Sequence, residues 1–302
     1  MEQGYHIPVL LNESIDGLNI KPDGVYVDLT FGGGGHSREI LSRLGEYGKL
    51  VVFDQDEDAY KNRPDDERLL FVRHNFQYLS HFLRYLNIDA VDGILGDLGV
   101  SSHHFDAAER GFSFRFEGKL DMRMGQGLKM TAADLVNTYE LDDLKRIFWQ
   151  YGEIKSSYKL ASEIIKQRAG KPFETTTDLK VLAEKIGPKK EQSKFLAQVF
   201  QALRIEVNME MDVLKSVLMQ STNAIKPGGR LSIISYHSLE DRLVKNFIRS
   251  GDCDKNQPDK DIFGQSDVPF KAVNRKIIIP NDEEIERNNR ARSAKLRIAE
   301  RV

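Results

Sequence analysis

A chain of 302 residues with 40% hydrophobic, 30% charged and 9% aromatic side chains can bury one large core or two modest ones, and its composition excludes disordered and fibrous proteins. With 44 lysines and arginines against 46 acidic residues the net charge is −2, which excludes a protein that coats nucleic acid through bulk charge but leaves room for a local basic patch. The one cysteine, Cys253, excludes an intrachain disulfide framework and any multi-cysteine metal site, and it fits a reducing compartment. Residues 1–14 lack a basic segment followed by an apolar one, and no apolar run approaches the roughly 20 residues of a membrane span. A cytoplasmic protein, away from membranes, is expected.

Short runs rich in Val, Ile, Leu and Phe alternate with helix-length amphipathic segments over the first hundred residues, the βα rhythm of a parallel sheet. Strands are expected at Val25 to Leu29, Leu50 to Phe53, Leu69 to Val72 and Val91 to Leu95, with crossover helices at Ser37 to Leu44, Glu57 to Asn62 and Gln77 to Leu86. After Gly96 the rhythm stops. From Phe105 to Val207 the patterns are helical, with Ala132 to Thr138 capped by Thr131, then Leu141 to Tyr151, Ser157 to Ala169 and Asp178 to Ile186, the last stopped by Gly187-Pro188. A further helix, Glu210 to Ile225, ends at Pro227-Gly228-Gly229, and a strand from Arg230 to Ser235 resumes the rhythm. A polar loop (Gly251 to Pro269), a β run at Lys276 to Ile279 and a strand at Ala294 to Ala299 follow. The expected architecture is α/β, a Rossmann-like sheet domain (1–104 plus 208–302) interrupted by an inserted helical domain (105–207).

The strongest local signal is Val25-Tyr-Val-Asp-Leu-Thr-Phe-Gly-Gly-Gly-Gly-His36, a strand that runs through four glycines into a helix. Glycines let backbone approach a ligand, and the helix start favours an anionic group. A Walker loop needs a lysine that Gly35-His36-Ser37 lacks, and a dinucleotide fingerprint counted from Gly32 needs glycine at Ser37. What remains resembles the loop of S-adenosylmethionine enzymes, with Asp28 at the strand end and the cofactor's carboxylate on the amides of Gly34, Gly35 and His36. Asp54 ends the second strand twenty positions after Gly34, where a carboxylate accepts from ribose hydroxyls; Phe76, past the third strand, is placed to pack on adenine or in the core.

Asp97 follows the fourth strand at the carboxyl edge where open α/β sheets bind ligands, and it is suited to accept a hydrogen bond from a target amine. His103-His104 beside Asp106 invites a metal, but adjacent side chains rarely face one ion and no third ligand at metal spacing follows, so no metal is expected. Cys253 sits in a polar loop with nothing to lower its pKa, which argues against a thiolate nucleophile. Arg110, Phe112, Phe114, Arg115, Phe116 and Arg123 pair guanidiniums with aromatics as single-stranded nucleic acid binders do, though some of these rings must pack the insert. Arg287, Arg290, Arg292, Lys295, Arg297 and Arg301 form a second basic group, a candidate phosphate-facing edge.

With these residues assembled, the chain resembles the bacterial MraW/RsmH family, the 16S ribosomal RNA (cytosine-N4) methyltransferases. The resemblance runs nearly end to end, through His6 to Glu13, Asp28 to Ser37, Asp97 to Ser102, Glu109 to Phe114, Leu120 to Met124, Phe200 to Ile205, Gly228 to Arg242 and Ala291 to Arg301. It implies an S-adenosylmethionine-dependent methyltransferase with a helical substrate-recognition insert, acting on the exocyclic N4 amine of a decoding-centre cytidine, with the 16S rRNA of the small subunit as partner. By position the cofactor contacts fall on Gly34, Gly35, His36, Asp54, Phe76, Asp97 and His104. Asp97 would hold the amine, with His237 or Tyr236 as an outer contact, and Arg110, Phe112, Arg115, Arg123, Arg290 and Arg292 would face RNA. Glutamine is usual where His104 stands, and Tyr236 replaces a usual phenylalanine. Two rivals are a nicotinamide oxidoreductase, opposed by Ser37, and a ribosome-assembly factor that binds RNA on the same fold without turnover.

Overall fold

The computed structural model describes residues 8–99, 108–125, 127–261, 263–264 and 266–302. Two compact units divide the chain, Met1–Gly99 with Met211–Val302 and Val100–Glu210. The first begins with α1 (Leu11–Leu18), which the sequence reading did not anticipate and which buries Ile15 and Leu18 three positions apart. There follow β1 (Val25–Asp28), α2 (Gly35–Arg43), β2 (Lys49–Phe53), α3 (Glu57–Lys61), β3 (Leu69–Val72), α4 (Leu79–Tyr85) and β4 (Val91–Asp97). The β2 run Leu-Val-Val-Phe has no alternation because both its faces are covered, as in parallel sheets flanked by helices. Leu50 and Val52 join Ile40 and Leu41 of α2 and Ile15 of α1 in one cluster, while Phe53 meets Phe82 of α4 edge to face at 6.0 Å. Each such fully buried aliphatic or aromatic side chain contributes about 1.5–3 kcal/mol.

The second unit is helical, with α5 (Ala132–Thr138), α6 (Leu141–Gln150), α7 (Ser157–Arg168), α8 (Thr176–Ile186) and α9 (Gln192–Asn208). Capping boxes start two of them: Thr131 with Asp134 on α5 and Thr175 with Asp178 on α8. α9, which the sequence reading did not single out, supplies Phe195, Leu196, Val199, Phe200 and Leu203 to a core shared with Leu135, Ile147, Phe148, Ile164 and Leu179. That i, i+1, i+4, i+5, i+8 spacing is itself a helical period. At its end Asn208 ties down the preceding loop, donating to the Met122 carbonyl at 2.8 Å and accepting from the Met124 amide at 2.7 Å.

The sheet unit is then completed by α10 (Glu210–Ala224), β5 (Ile225–Ser235), α11 (Ser238–Ser250), β6 (Phe270–Ala272), α12 (Asp282–Arg287) and β7 (Lys295–Arg301). The strand order is β3-β2-β1-β4-β5-β7-β6, with β1 to β5 parallel and β7 antiparallel to both its neighbours. β5 begins five residues before the expected Arg230, since Ile225 already pairs with Val91 and Pro227 to Gly229 form an irregularity within the ladder. The β run expected at Lys276 to Ile279 reduces to an isolated bridge from Ile278 to Leu296. β6 already occupies the rest of that β7 edge, and Asn274 folds its side-chain amide back onto the Lys276 carbonyl. Among the described residues no helix is long and apolar enough to cross a membrane.

Asp178 generates a stability prediction. Its Oδ2 accepts from the amides of Glu174 and Thr175 and from the Thr175 hydroxyl, and its Oδ1 accepts from Lys171 at 2.9 Å. Burial opposes its charge, but these donors outweigh burial and bring the carboxyl from 3.8 down to about 2. Because the folded value is depressed, the stabilisation is complete above the unfolded value and is lost as pH falls through the folded one. Asp178→Asn should cost about 2 kcal/mol at pH 7, with the gap to the parent closing between about pH 4 and pH 2, as read by urea unfolding across that range. A cost independent of pH would show that the side chain acts through shape alone.

Candidate active site

The strand order reverses between β1 and β4, and ligands of open α/β sheets bind in the crevice outside such a switch point. Here the crevice is pinned from below. Asp28, fully buried at the end of β1, accepts from the Ser37 hydroxyl at 2.6 Å and the Thr30 amide at 3.0 Å. The Thr30 hydroxyl accepts the Asp97 amide at 2.7 Å, bridging the ends of β1 and β4. Burial pushes the Asp28 carboxyl above its ordinary value, against the lowering effect of Ser37, His36 and Thr30.

The glycine loop lies above this bridge. Gly32 and Gly34 have φ of +52° and +76°, and a Cβ on Gly34 would come within 2.7 Å of the Phe31 ring and 2.8 Å of the Arg38 guanidinium, so only glycine fits there. Among the described residues no side chain caps α2 behind it; of the three amides expected to meet an anionic group, that of Gly34 already donates to the Phe31 carbonyl at 2.7 Å, which leaves the expectation on the first-turn amides of Gly35 and His36. The His36 ring is buried, and its Nε2 lies 3.0 Å from the Val9 carbonyl, which as an acceptor requires the proton on Nε2. Its Nδ1 lies 4.0 Å from Asp97 Oδ2. At the end of β2, Asp54 accepts from the amides of Gly32 and Asp56, both at 2.8 Å, tying the loop to the second strand. Phe76 opens a short 3-10 turn past β3 and is partly exposed.

Across the crevice the Tyr236 hydroxyl donates to Asp97 Oδ1 at 2.7 Å. Burial, with the neighbouring Asp97 charge, pushes the phenol well above its ordinary range, so the proton stays on the tyrosine. The hydroxyl that distinguishes this position from phenylalanine therefore serves Asp97. His237 caps α11 through a box with Glu240: its Nδ1 accepts the Glu240 amide, and Glu240 Oε2 accepts the amides of Tyr236 and His237. His237 Nε2 is 3.2 Å from Glu240 Oε1 but out of line for a hydrogen bond, and it is a buried nitrogen with no hydrogen-bond partner among the described residues.

The structure thus brings Gly34, Gly35, His36, Asp54 and Asp97 together at the carboxyl ends of β1, β2 and β4, with His237 next in sequence to Tyr236, which holds Asp97. His104 lies outside the described residues, as do His103 and Asp106. Thr30, Ser37 and Glu240 were not assigned roles from sequence. The His-Ser-Leu-Glu spacing of a capping box was the available signal for Glu240.

The expected RNA-facing residues of the insert need correction. Phe112 is 4% exposed and belongs to the helical core, so its ring offers no stacking platform. Phe114 likewise packs on Phe200, with centroids 5.6 Å apart. Arg123 is held bidentately by Asp121 and donates to the Leu128 carbonyl, while Arg110 donates to the carbonyls of Arg123 and Met124. These two guanidiniums act within the insert. Arg115 and Phe116 are exposed. In the tail Arg290 and Arg292 are exposed, whereas Arg297 is paired with Asp241 and Arg301 donates to the carbonyls of Thr222 and Pro269.

Comparison with known proteins gives a consistent outcome. The sequence model of the MraW methylase family matches residues 3–302. A Bacteroides fragilis (strain YCH46) protein named Ribosomal RNA small subunit methyltransferase H is 59% identical over 300 residues, covering 99% of this chain and 98% of that one. A protein of the same name from Flavobacterium johnsoniae is 57% identical over 298 residues, with 99% and 98% covered.

Cys253 stands apart from the crevice chemistry. It is 3% exposed, and burial, reinforced by Asp254 and Asp252, pushes its thiol up to about 12. At pH 8 the folded chain should resist iodoacetamide for hours and become alkylated promptly in urea, as followed by intact mass. Prompt alkylation of the native protein would show an accessible thiolate.

Proposed function

The chain belongs to the MraW methylase family, and on that premise we propose that this methyltransferase moves the methyl group of S-adenosylmethionine onto the exocyclic N4 amine of a cytidine in the decoding centre of 16S ribosomal RNA. The observation that carries the reading is the placement of Asp97, an acceptor carboxylate at the β1–β4 crevice, fixed through its amide by Thr30 and through Oδ1 by Tyr236. The names of the relatives support ribosomal RNA as the substrate.

The crevice fits the cofactor on the chain's own terms. The uncapped first turn of α2 suits its carboxylate, Asp54 stands at the end of β2 where a carboxylate meets ribose hydroxyls, and Phe76 offers a partly exposed face for adenine. Bound there, S-adenosylmethionine supplies a methyl group already activated by its sulfonium.

The N4 lone pair of cytosine is delocalised into the ring, so positioning and exclusion of water are what the protein must provide. Asp97 accepts a hydrogen bond from the amine and so orients the nitrogen once the base is extruded from its stack. Tyr236 keeps that carboxylate from rotating away. His237, with a buried Nε2 that has no hydrogen-bond partner among the described residues, presents a donor for an acceptor on the flipped nucleotide. Methylation at C5 instead calls for a cysteine nucleophile, and the buried, protonated Cys253 is unsuited to it.

Transfer of labelled methyl from S-adenosylmethionine to small-subunit RNA tests this. Asp97→Asn replaces a pure acceptor by an amide of the same shape and should lower turnover by about a hundredfold or more, whereas Cys253→Ala should keep near-parental turnover. Loss of activity in Cys253→Ala with an RNA–protein adduct in the parent would overturn the N4 assignment. Asp54→Ala should weaken S-adenosylmethionine binding by about tenfold or more in calorimetry, with the fold intact by circular dichroism. Unchanged affinity would remove Asp54 from the ribose site.

A further inference from the structure

We propose that the outer face of α11, together with the excursion after β6, is the track on which the backbone of the substrate RNA docks beyond the nucleotide in the crevice; this rests on the RNA reading above. Arg242, Lys245 and Arg249 recur at i, i+3 and i+7, which puts them on one stripe of the helix. All three are exposed. Arg275 and Lys276 line the same groove from the segment after β6, where the chain swings away from the β7 edge between the Val273 bond to Ile298 and the Ile278 bridge to Leu296. Lys245, Arg249, Asn274, Arg275, Lys276 and Arg297 line one groove of about 250 Å³.

A second, wider hollow of about 780 Å³ adjoins it through the shared Lys245 and runs back along α11 to Ser238. Ser238, the first residue of α11, follows β5 by three positions, so the hollow starts near the carboxyl edge of that strand. Asn246, Asn256 and Gln257 line it as well, offering amides to sugars and base edges.

A charged helix face is ordinarily solvated and balanced by acids three or four positions away. Here the balance is missing. Asp241, the acid nearest the stripe, is occupied by Arg297 at 2.7 Å and Lys295 at 3.8 Å. The side chains of Arg242, Lys245, Arg249, Arg275 and Lys276 make no hydrogen bond or ion pair with the described residues, whereas Arg43, Arg68, Arg123, Arg204 and Arg230 each hold a carboxylate. Asp254 also lines the wider hollow, but it is paired with Lys215 at 2.7 Å. In a chain of net charge −2 the stripe is therefore a concentration of positive charge whose neighbouring acids are engaged by other cations. It spans about 10 Å along the helix, which suits successive phosphates of a strand rather than a single anion.

The test is the triple variant Lys245→Gln, Arg249→Gln, Arg275→Gln, titrated by fluorescence anisotropy against a labelled RNA carrying the decoding-region hairpin over a range of salt. Affinity at low salt should fall about tenfold or more, and the slope of log K against log salt should become shallower by about 2, as expected for three lost phosphate contacts on single-stranded RNA. S-adenosylmethionine binding should be unchanged, which reports that the sheet unit is folded. The charge-preserving triple Lys245→Arg, Arg249→Lys, Arg275→Lys should restore both affinity and slope. Parental binding of RNA together with equal affinity and slope in the glutamine variant would overturn the track and leave an acidic protein as the occupant of this face. Absence of salt-dependent RNA binding in the parent would instead overturn the RNA reading itself, and the track with it.

Discussion

A carboxylate with no solvent exposure, Asp28 at the end of β1, is the constraint on which the rest of the site depends. Burying a carboxylate is costly unless hydrogen bonds replace its water. Here the Ser37 hydroxyl and the Thr30 amide do so, and each anchors something else. Ser37 fixes the first turn of α2 and so the direction in which its amides point. Thr30 carries the hydroxyl that receives the Asp97 amide, so the glycine loop and the start of α2 on one side and Asp97 on the other are positioned from one buried group.

The rest of the crevice extends this economy of contacts. Asp54 braces the glycine loop against β2 through Gly32, and Tyr236 braces Asp97 from β5. Glu240, 3% exposed, holds the backbone turn from which Tyr236 and His237 project. Backbone amides and short side chains do most of the positioning, which suits a reaction whose electrophile arrives activated and whose demands on the protein are alignment and dryness.

Much of this was legible in the sequence because it lies in local pattern. The four parallel strands were visible as short runs rich in apolar residues, and β3 falls at the expected Leu69–Val72. The cap at Thr131 was readable from one residue. What escaped depends on partners far away in sequence. α1 is short and acquires its meaning from packing on the sheet. β6 is three residues long and exists as a strand because β7 is there to pair with it. The insert's arginine-aromatic cluster read as a nucleic acid surface because composition does not tell whether a ring faces inward; Phe112 and Arg123 are absorbed by the helical core and by Asp121. Conversely, the stripe on α11 is written in the sequence as Arg242, Lys245 and Arg249, but the occupation of Asp241 by β7 is what leaves it uncompensated.

The central claim is the atom that receives the methyl group. The most direct measurement is to incubate the purified chain with S-adenosylmethionine and unmodified small ribosomal subunits, digest the RNA to nucleosides, and identify the methylated cytidine by chromatography and fragmentation mass spectrometry against authentic N4- and C5-methyl standards. The account predicts methyl on N4 of a decoding-centre cytidine. Methyl on C5, or on a base elsewhere in the subunit, would contradict it.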